Sequence, residues 1–146
     1  MGEIIQANTD QLHELTKLAI DLWTDNDVEK LKEEFAEIIE SDQNKVFLYC
    51  IEKRAVAFIH LSIRTDYVEG SNSSPTGYIE GAYVLPEFRQ KGISKKLFSQ
   101  GREWLINKGC QQVGSDIELN NEVSYQFHKN IGFKEVNRLI AFIQDL

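Results

Sequence analysis

No stretch of this 146-residue chain approaches the run of about 18 apolar residues that a membrane-spanning helix needs. Cysteine is scarce: Cys50 and Cys110 lack metal-site spacing, so they are expected to be buried thiols in a reducing compartment rather than a disulfide, and no metal is expected. The acidic, polar N-terminus does not resemble a signal peptide, and a cytoplasmic location is expected. There is no G-x-x-x-x-G-K-[ST] string and no G-x-G-x-x-G following a strand, which excludes a P-loop and a dinucleotide fold. Basic residues are in the minority, 16 Lys and Arg against 23 Asp and Glu, and the net charge of −7 argues against broad nucleic-acid binding. A field of this sign concentrates cationic small molecules, although solubility alone would also account for it.

With 42% apolar residues, the chain can bury the core of one ordinary domain, taken as residues 1–146. GEIIQA reads as a short strand, and Thr9 as the N-cap of a helix carrying Leu12, Leu15, Leu18, Ala19 and Leu22 at helical spacing. After the polar break WTDND, a second helix places Val28, Leu31, Phe35, Ile38 and Ile39 on one face. Lys45 to Ile51 and Ala55 to Ile63 read as an antiparallel pair joined by a charged turn. A long Ser-, Asn-, Gly- and Pro-containing loop follows. Beyond it are a strand from Tyr78 to Leu85, a helix from about Gly92 to Lys108, a strand from Gln111 to Ile117, a short helix from about Asn121 to Ile131 and a terminal β-rich stretch from Phe133 to Ile143. The expected fold is a mixed α/β arrangement in the order β-α-α-β-β-β-α-β-α-β, with an antiparallel first half and a right-handed β-α-β unit after it.

The stretch richest in chemical information is YIEGAYVLPEFRQKGISKKL, from Tyr78 to Leu97. A strand stops at Pro86 and passes through Arg89, Gly92 and Ser94 into an amphipathic segment. The first N–H groups of a helix have no intrahelical partner and carry the positive end of its dipole, so such a loop suits a phosphate. Gly92 would let the phosphate approach the backbone, and Ser94 is small enough not to block it. An ordinary strand-to-helix turn would leave the same short string.

The element order, the chain length, RQKGIS and the later N-x-x-S…G-F segment resemble the GNAT superfamily of acetyl-CoA-dependent N-acetyltransferases over nearly the whole chain. E-G-x-Y-V-x-P, SDIELNN and FHKNIGF are further similar to the aminoglycoside 6′-N-acetyltransferases. The resemblance implies a GNAT-type fold with a splayed central strand pair, acetyl-CoA as co-substrate, direct attack of an amine on the thioester in a ternary complex, and antibiotic resistance as the outcome. It implies that Tyr83 and Val84 lie on the splayed strand, with a main-chain N–H near Val84 facing the thioester carbonyl. The amides of Arg89, Gln90, Lys91, Gly92, Ile93 and Ser94 would hold the pyrophosphate, with Ser94 standing where Gly or Ala is more usual, and Asn121 would contact the pantetheine arm, although at the start of a helix it reads equally as an N-cap.

Glu80 takes the place of the glutamate that orients or deprotonates the substrate amine, and Asp116 that of an aspartate set against substrate ammonium groups. Two carboxylates on neighbouring strand ends make a cation site. Trp23 and Tyr67 stand where the family lines its substrate cleft, with Asp25 and Glu69 nearby, although each aromatic is equally readable as a core or rim residue. His128 replaces the family tyrosine proposed to protonate the departing thiolate, a task its pKa near 6.5 permits. A packed helix histidine is the other reading, and Tyr125 is a second candidate acid. Glu118 reads as a solvated turn residue, and His13 and His60 as structural. The expected partner is a cationic amine, with neither nucleic acid nor membrane; the apolar run Leu139 to Ile143 reads either as an internal strand or as one that pairs across a homodimer, which the resemblance allows. Two other readings are an acetyltransferase of another amine (a polyamine, a small metabolite or a protein N-terminus) and a non-catalytic acyl-CoA-binding domain.

Overall fold

The structure, a computed structural model, describes residues 2–146. Its strands are β1 (Gly2–Gln6), β2 (Asn44–Ile51), β3 (Arg54–Arg64), β4 (Thr76–Val84) and β5 (Val113–Ser115), and its helices are α1 (Leu12–Leu22), α2 (Val28–Glu40), α3 (Ile93–Asn107) and α4 (Glu122–Asn130). Among the described residues the strands form one sheet in the order β1-β2-β3-β4-β5. The first four are antiparallel neighbours, and β5 lies parallel to β4 after the α3 crossover.

Alternation along the strands divides the core between the two faces of the sheet. Val46, Leu48, Cys50 and Phe58 meet Leu15, Leu18 and Ala19 of α1 and Leu31 and Phe35 of α2. Phe47, Ile59, Leu61 and Ile79 meet Ile93, Leu97, Phe98 and Leu105 of α3 on the other face. Each of the largest fully buried side chains, Phe35, Phe58 and Leu15 among them, contributes about 1.5–3 kcal/mol by leaving water. Both cysteines are free and belong to these cores. Burial pushes both thiols up, and for Cys50 the charges of Glu14 and Glu3 add to the effect.

Three local expectations change. The residue that caps the entry to α1 is Asn8, not Thr9: its side chain accepts from the Asp10 N–H at 2.8 Å while Gln11 returns a bond to the Asn8 N–H at 2.9 Å, opening a short 3₁₀ turn. The strand expected over Gln111 to Ile117 is confined to Val113–Ser115. The terminal β-rich stretch forms no strand: residues 133–146 have no ladder partner, and Leu139, Ile140, Phe142 and Ile143 are exposed. β-propensity describes fit to a neighbouring strand, and the single chain offers this segment none.

Two features of the sheet create the site. The β3–β4 register shifts between His60 and Leu61: His60 faces Gly81 and Leu61 faces Ile79, so Glu80 is an extra, bulged residue. Tyr78 and Glu80 share the face of Ser62 by ordinary alternation; the bulge takes Glu80 out of the pairing, sets Gly81 opposite His60 in its place and brings Tyr83, opposite Phe58, onto the same face. The β4–β5 ladder, in turn, contains only the pairs Gly77–Val113, Tyr78–Gly114 and Ile79–Ser115. From Glu80 onward β4 continues to Val84 without β5 beside it.

Candidate active site

The last β4–β5 rung is Ile79–Ser115, so the next residue on each strand, Glu80 and Asp116, stands where the strands part. The two carboxylates singled out from sequence are thereby brought to one place, and neither is bare. Glu80 Oε2 accepts from Ser62 Oγ at 2.5 Å, from Arg64 Nε at 3.1 Å and from Arg64 Nη2 at 2.8 Å, while Oε1 accepts from Arg64 Nη2 at 2.9 Å. The Arg64 guanidinium lies 3.5 Å from the centre of the Tyr78 ring, a cation–π contact at stacking distance. The Tyr78 hydroxyl donates to Asp116 Oδ2. Burial first, and then this bond to Asp116, holds the phenol well above its ordinary range, so Tyr78 remains a donor. A continuous chain thus runs Ser62–Glu80–Arg64–Tyr78–Asp116.

His60, one position along the same stripe, is buried and bonded through Nε2 to Asn44 Oδ1 at 2.8 Å. The Asn44 amide nitrogen already donates to Ser41, so its oxygen is the acceptor and His60 carries its proton on Nε2. Burial lowers its pKa to about 4, with the charge of Glu80 opposing the shift. His60 is structural, as its position in a β-rich run suggested.

Trp23 is half-buried and walls one side of the carboxylate site. Its six-membered ring lies so close over Gly81 that a Cβ there would come within 2.6 Å of it, and it packs against Phe35 and Phe58. Trp23 is thus a core residue by its packing, with one ring edge over the strand position next to Glu80. Tyr67 is different: it is 73% exposed on the 65–75 loop, and its hydroxyl is a long 3.4 Å from the Gly70 N–H. No contact ties it to the carboxylate chain. Glu69 accepts from Asn137 at 2.6 Å, and Asp25 is exposed in the turn between α1 and α2.

The glycine loop leads from the end of β4 into α3. Gln90 and Gly92 have φ of 62° and 78°, a sharp left-handed entry into α3 for which glycine is the default residue. A Cβ on Gly92 would meet nothing within 4 Å, so the space over the loop is open. The first intrahelical bond is Lys96 N–H to Gly92 O at 3.1 Å, which leaves the N–H groups of Ile93, Ser94 and Lys95 free of helical partners. Arg89 folds back on β4, donating through Nε to the Val84 carbonyl at 2.8 Å beside the Tyr83 ring, and its terminal nitrogens are not used in that bond. Arg89, Lys91, Lys95 and Lys96 make this the basic patch of an acidic chain, and donors and charge together fit a pyrophosphate. Among the described residues, no group of three or more His, Cys, Asp or Glu side chains is arranged to hold a metal ion.

His128 reaches the same strand end from α4. Its Nδ1–H donates to the Ser124 carbonyl at 2.7 Å, which fixes the tautomer and leaves Nε2 to accept from Ser115 Oγ at 2.8 Å. Tyr125 points elsewhere, donating to Glu135 at 3.0 Å. Asn121 is the N-cap of α4, accepting from the Ser124 N–H at 3.1 Å.

The residues that sequence reasoning missed are Ser62, Arg64 and Tyr78. A signal was present for the first two: in HLSIR, His60, Ser62 and Arg64 alternate with Leu61 and Ile63, a polar stripe on one face of a strand that otherwise reads as core.

A mixed sheet with a parted β4–β5 pair, a basic helix-entry loop at the end of β4 and carboxylates in the gap defines an acyl-group-transfer fold. The chain belongs to the acetyltransferase (GNAT) family, whose pattern matches residues 12–133. Within it, the chain is 35% identical over 140 residues to the aminoglycoside N(6′)-acetyltransferase type 1 of Salmonella enteritidis, covering 96% of this chain and 97% of that one. Among solved structures it superposes with a TM-score of 0.96 and 34% identity on aminoglycoside acetyltransferase AAC(6′)-Iy in complex with the bisubstrate analogue CoA-S-monomethyl-acetylneamine, over 100% of this chain and 99% of that one. It superposes with a TM-score of 0.93 and 31% identity on AAC(6′)-Ih from Acinetobacter baumannii, over 100% and 99%.

Proposed function

We propose that this chain is an acetyl-CoA-dependent aminoglycoside 6′-N-acetyltransferase, and that it confers resistance by acetylating the 6′-amine. The observation that carries the reading is the adjacency of Glu80 and Asp116 just past the last β4–β5 rung, beside a basic loop suited to pyrophosphate. Relatives that match the chain end to end bear that activity in their names, and the solved AAC(6′)-Iy holds a CoA–aminoglycoside conjugate.

Acetyl-CoA supplies an activated thioester carbonyl; the protein's part is to hold it and to manage protons. The amides of residues 90–94 and the side chain of Arg89, whose own N–H is given to the Pro86 carbonyl at 3.3 Å, bind the pyrophosphate, and Tyr83, Val84 and Asn121 line the path of the pantetheine arm. Asp116 receives a substrate ammonium group. Glu80 orients the attacking amine and takes up its proton, directly or through one water. The departing thiolate takes up a proton at the same time: His128, charged at Nε2 from solvent before the step, gives that proton to the sulfur and ends as the neutral imidazole held by Ser124 and Ser115. Attack is direct: both cysteine thiols are buried and held protonated, so neither is poised as an acetyl carrier. Trp23 supplies an apolar wall for a sugar ring, and Tyr67 lines the rim of the cleft from its exposed loop.

The enzyme works in the cytoplasm, where buried free thiols stay reduced. It acts as a homodimer through residues 133–146, where Leu139, Ile140, Phe142 and Ile143 are 73%, 81%, 91% and 99% exposed, more clustered apolar surface than a free arm keeps in water. Multi-angle light scattering should give the mass of two chains, and a monomer at micromolar concentration would rule the dimer out. A thiol-release assay across a panel of amines tests the substrate class. Turnover is expected with aminoglycosides that carry a 6′-amine; release with a spermidine-like amine alone, or acetyl-CoA binding with no turnover, would reject the reading.

A further inference from the structure

We propose that Arg64 is a positioning residue that fixes which oxygen of Glu80 the substrate amine meets; the inference rests on the reading above that Glu80 faces the amine. Each oxygen of an ionised carboxylate has about two acceptor sites. Oε2 is filled by Ser62 Oγ, Arg64 Nε and Arg64 Nη2, whereas Oε1 receives only Arg64 Nη2. One acceptor site therefore remains, on Oε1, and it is the one available to an amine N–H or to a bridging water. The guanidinium is itself held flat, by the carboxylate along its edge and by the Tyr78 ring beneath it at 3.5 Å. That ring is fixed in turn by its bond to Asp116, so the two carboxylates of the cleft share one rigid connector.

The alternative is that the pair merely strengthens the fold. Its exposure argues against this: the side chains are 39% and 26% exposed, and ion pairs so open to water contribute little to stability. Arg64 is the last residue of β3, where losing a side chain leaves the sheet ladder intact. A lysine at the same place would keep the charge but not the planar fork that fills Oε2.

The test is steady-state kinetics with kanamycin for the wild type, Arg64→Met, Arg64→Lys, Glu80→Gln and the Arg64→Met/Glu80→Gln double variant, with acetyl-CoA affinity measured by calorimetry for each. Arg64→Met should lower kcat by about 10-fold to 100-fold, the scale of a misplaced reacting group, with a much smaller change in KM. Arg64→Lys should recover only part of that loss, and acetyl-CoA binding should stay at the wild-type value in both. In the Glu80→Gln background, Arg64→Met should cost nothing further, because there is no longer a carboxylate to position. An equal cost in both backgrounds, a loss confined to KM, full rescue by lysine, or loss of acetyl-CoA binding in either single variant would each overturn the proposal. If the wild type itself does not acetylate kanamycin, the substrate reading has failed, and the same variants are compared on whichever amine the thiol-release panel identifies.

Discussion

Glu80→Gln should lower kcat/KM for kanamycin by about 100-fold or more, the range of a lost general base, while the Kd for acetyl-CoA stays within about 2-fold of wild type. The size of the effect follows from the surroundings of Glu80. Its carboxylate is flanked by donors only: Ser62 Oγ and two nitrogens of Arg64. An amide must either turn its oxygen to these donors, which presents an N–H₂ group to the amine, or turn its oxygen to the amine and set N–H₂ against the guanidinium. The first orientation removes the acceptor that the substrate needs, and the second leaves Arg64 unpaired. Neither disturbs the glycine loop, whose free donors are main-chain groups at the start of α3. Wild-type kinetics in this variant would remove Glu80 from the reaction.

A second large effect concerns stability. Acidification from pH 6.5 to pH 4 should destabilise the fold by about 3 kcal/mol through His60 alone, since each pKa unit is worth about 1.4 kcal/mol. The folded protein lowers this pKa from 6.5 to about 4 because the imidazole is buried and must leave its cation unsolvated. Between those values the unfolded chain binds a proton that the native state refuses, so stability falls as the pH falls through 6.5 and the loss is nearly complete by pH 4. Glu80, the charged neighbour, works against the shift but does not cancel it. Urea unfolding of wild type and His60→Gln across this range isolates the contribution: the variant should lose about 3 kcal/mol less than wild type. Parallel pH profiles would mean that His60 titrates normally.

The parts of the fold written in local sequence were readable. Leucines at helical spacing and the strand-to-helix passage at Gly92 needed only neighbouring residues. Glu80 and Asp116 were also visible, through their motif context. What was not visible depends on register between distant segments. The bulge that takes Glu80 out of the strand pairing exists because Gly81 pairs with His60 and Ile79 with Leu61 across an intervening loop, and no property of Glu80 itself encodes it. Arg64 went unnoticed for the same reason: the stripe of His60, Ser62 and Arg64 alternating with Leu61 and Ile63 was present, but its partner lies on the next strand. Thr9 lost the cap to Asn8 because Gln11 completes a capping box only with Asn8. LIAFI has strand-forming residues and nothing to pair with in one chain, so its propensity alone misdirected the reading.

The central claim is that this site transfers acetyl to one particular nitrogen of an aminoglycoside. The direct measurement is mass spectrometry and NMR of the product formed from kanamycin and acetyl-CoA. A single added acetyl group on the 6′-nitrogen is the predicted result; unmodified kanamycin, or acetyl on any other amine, would contradict it.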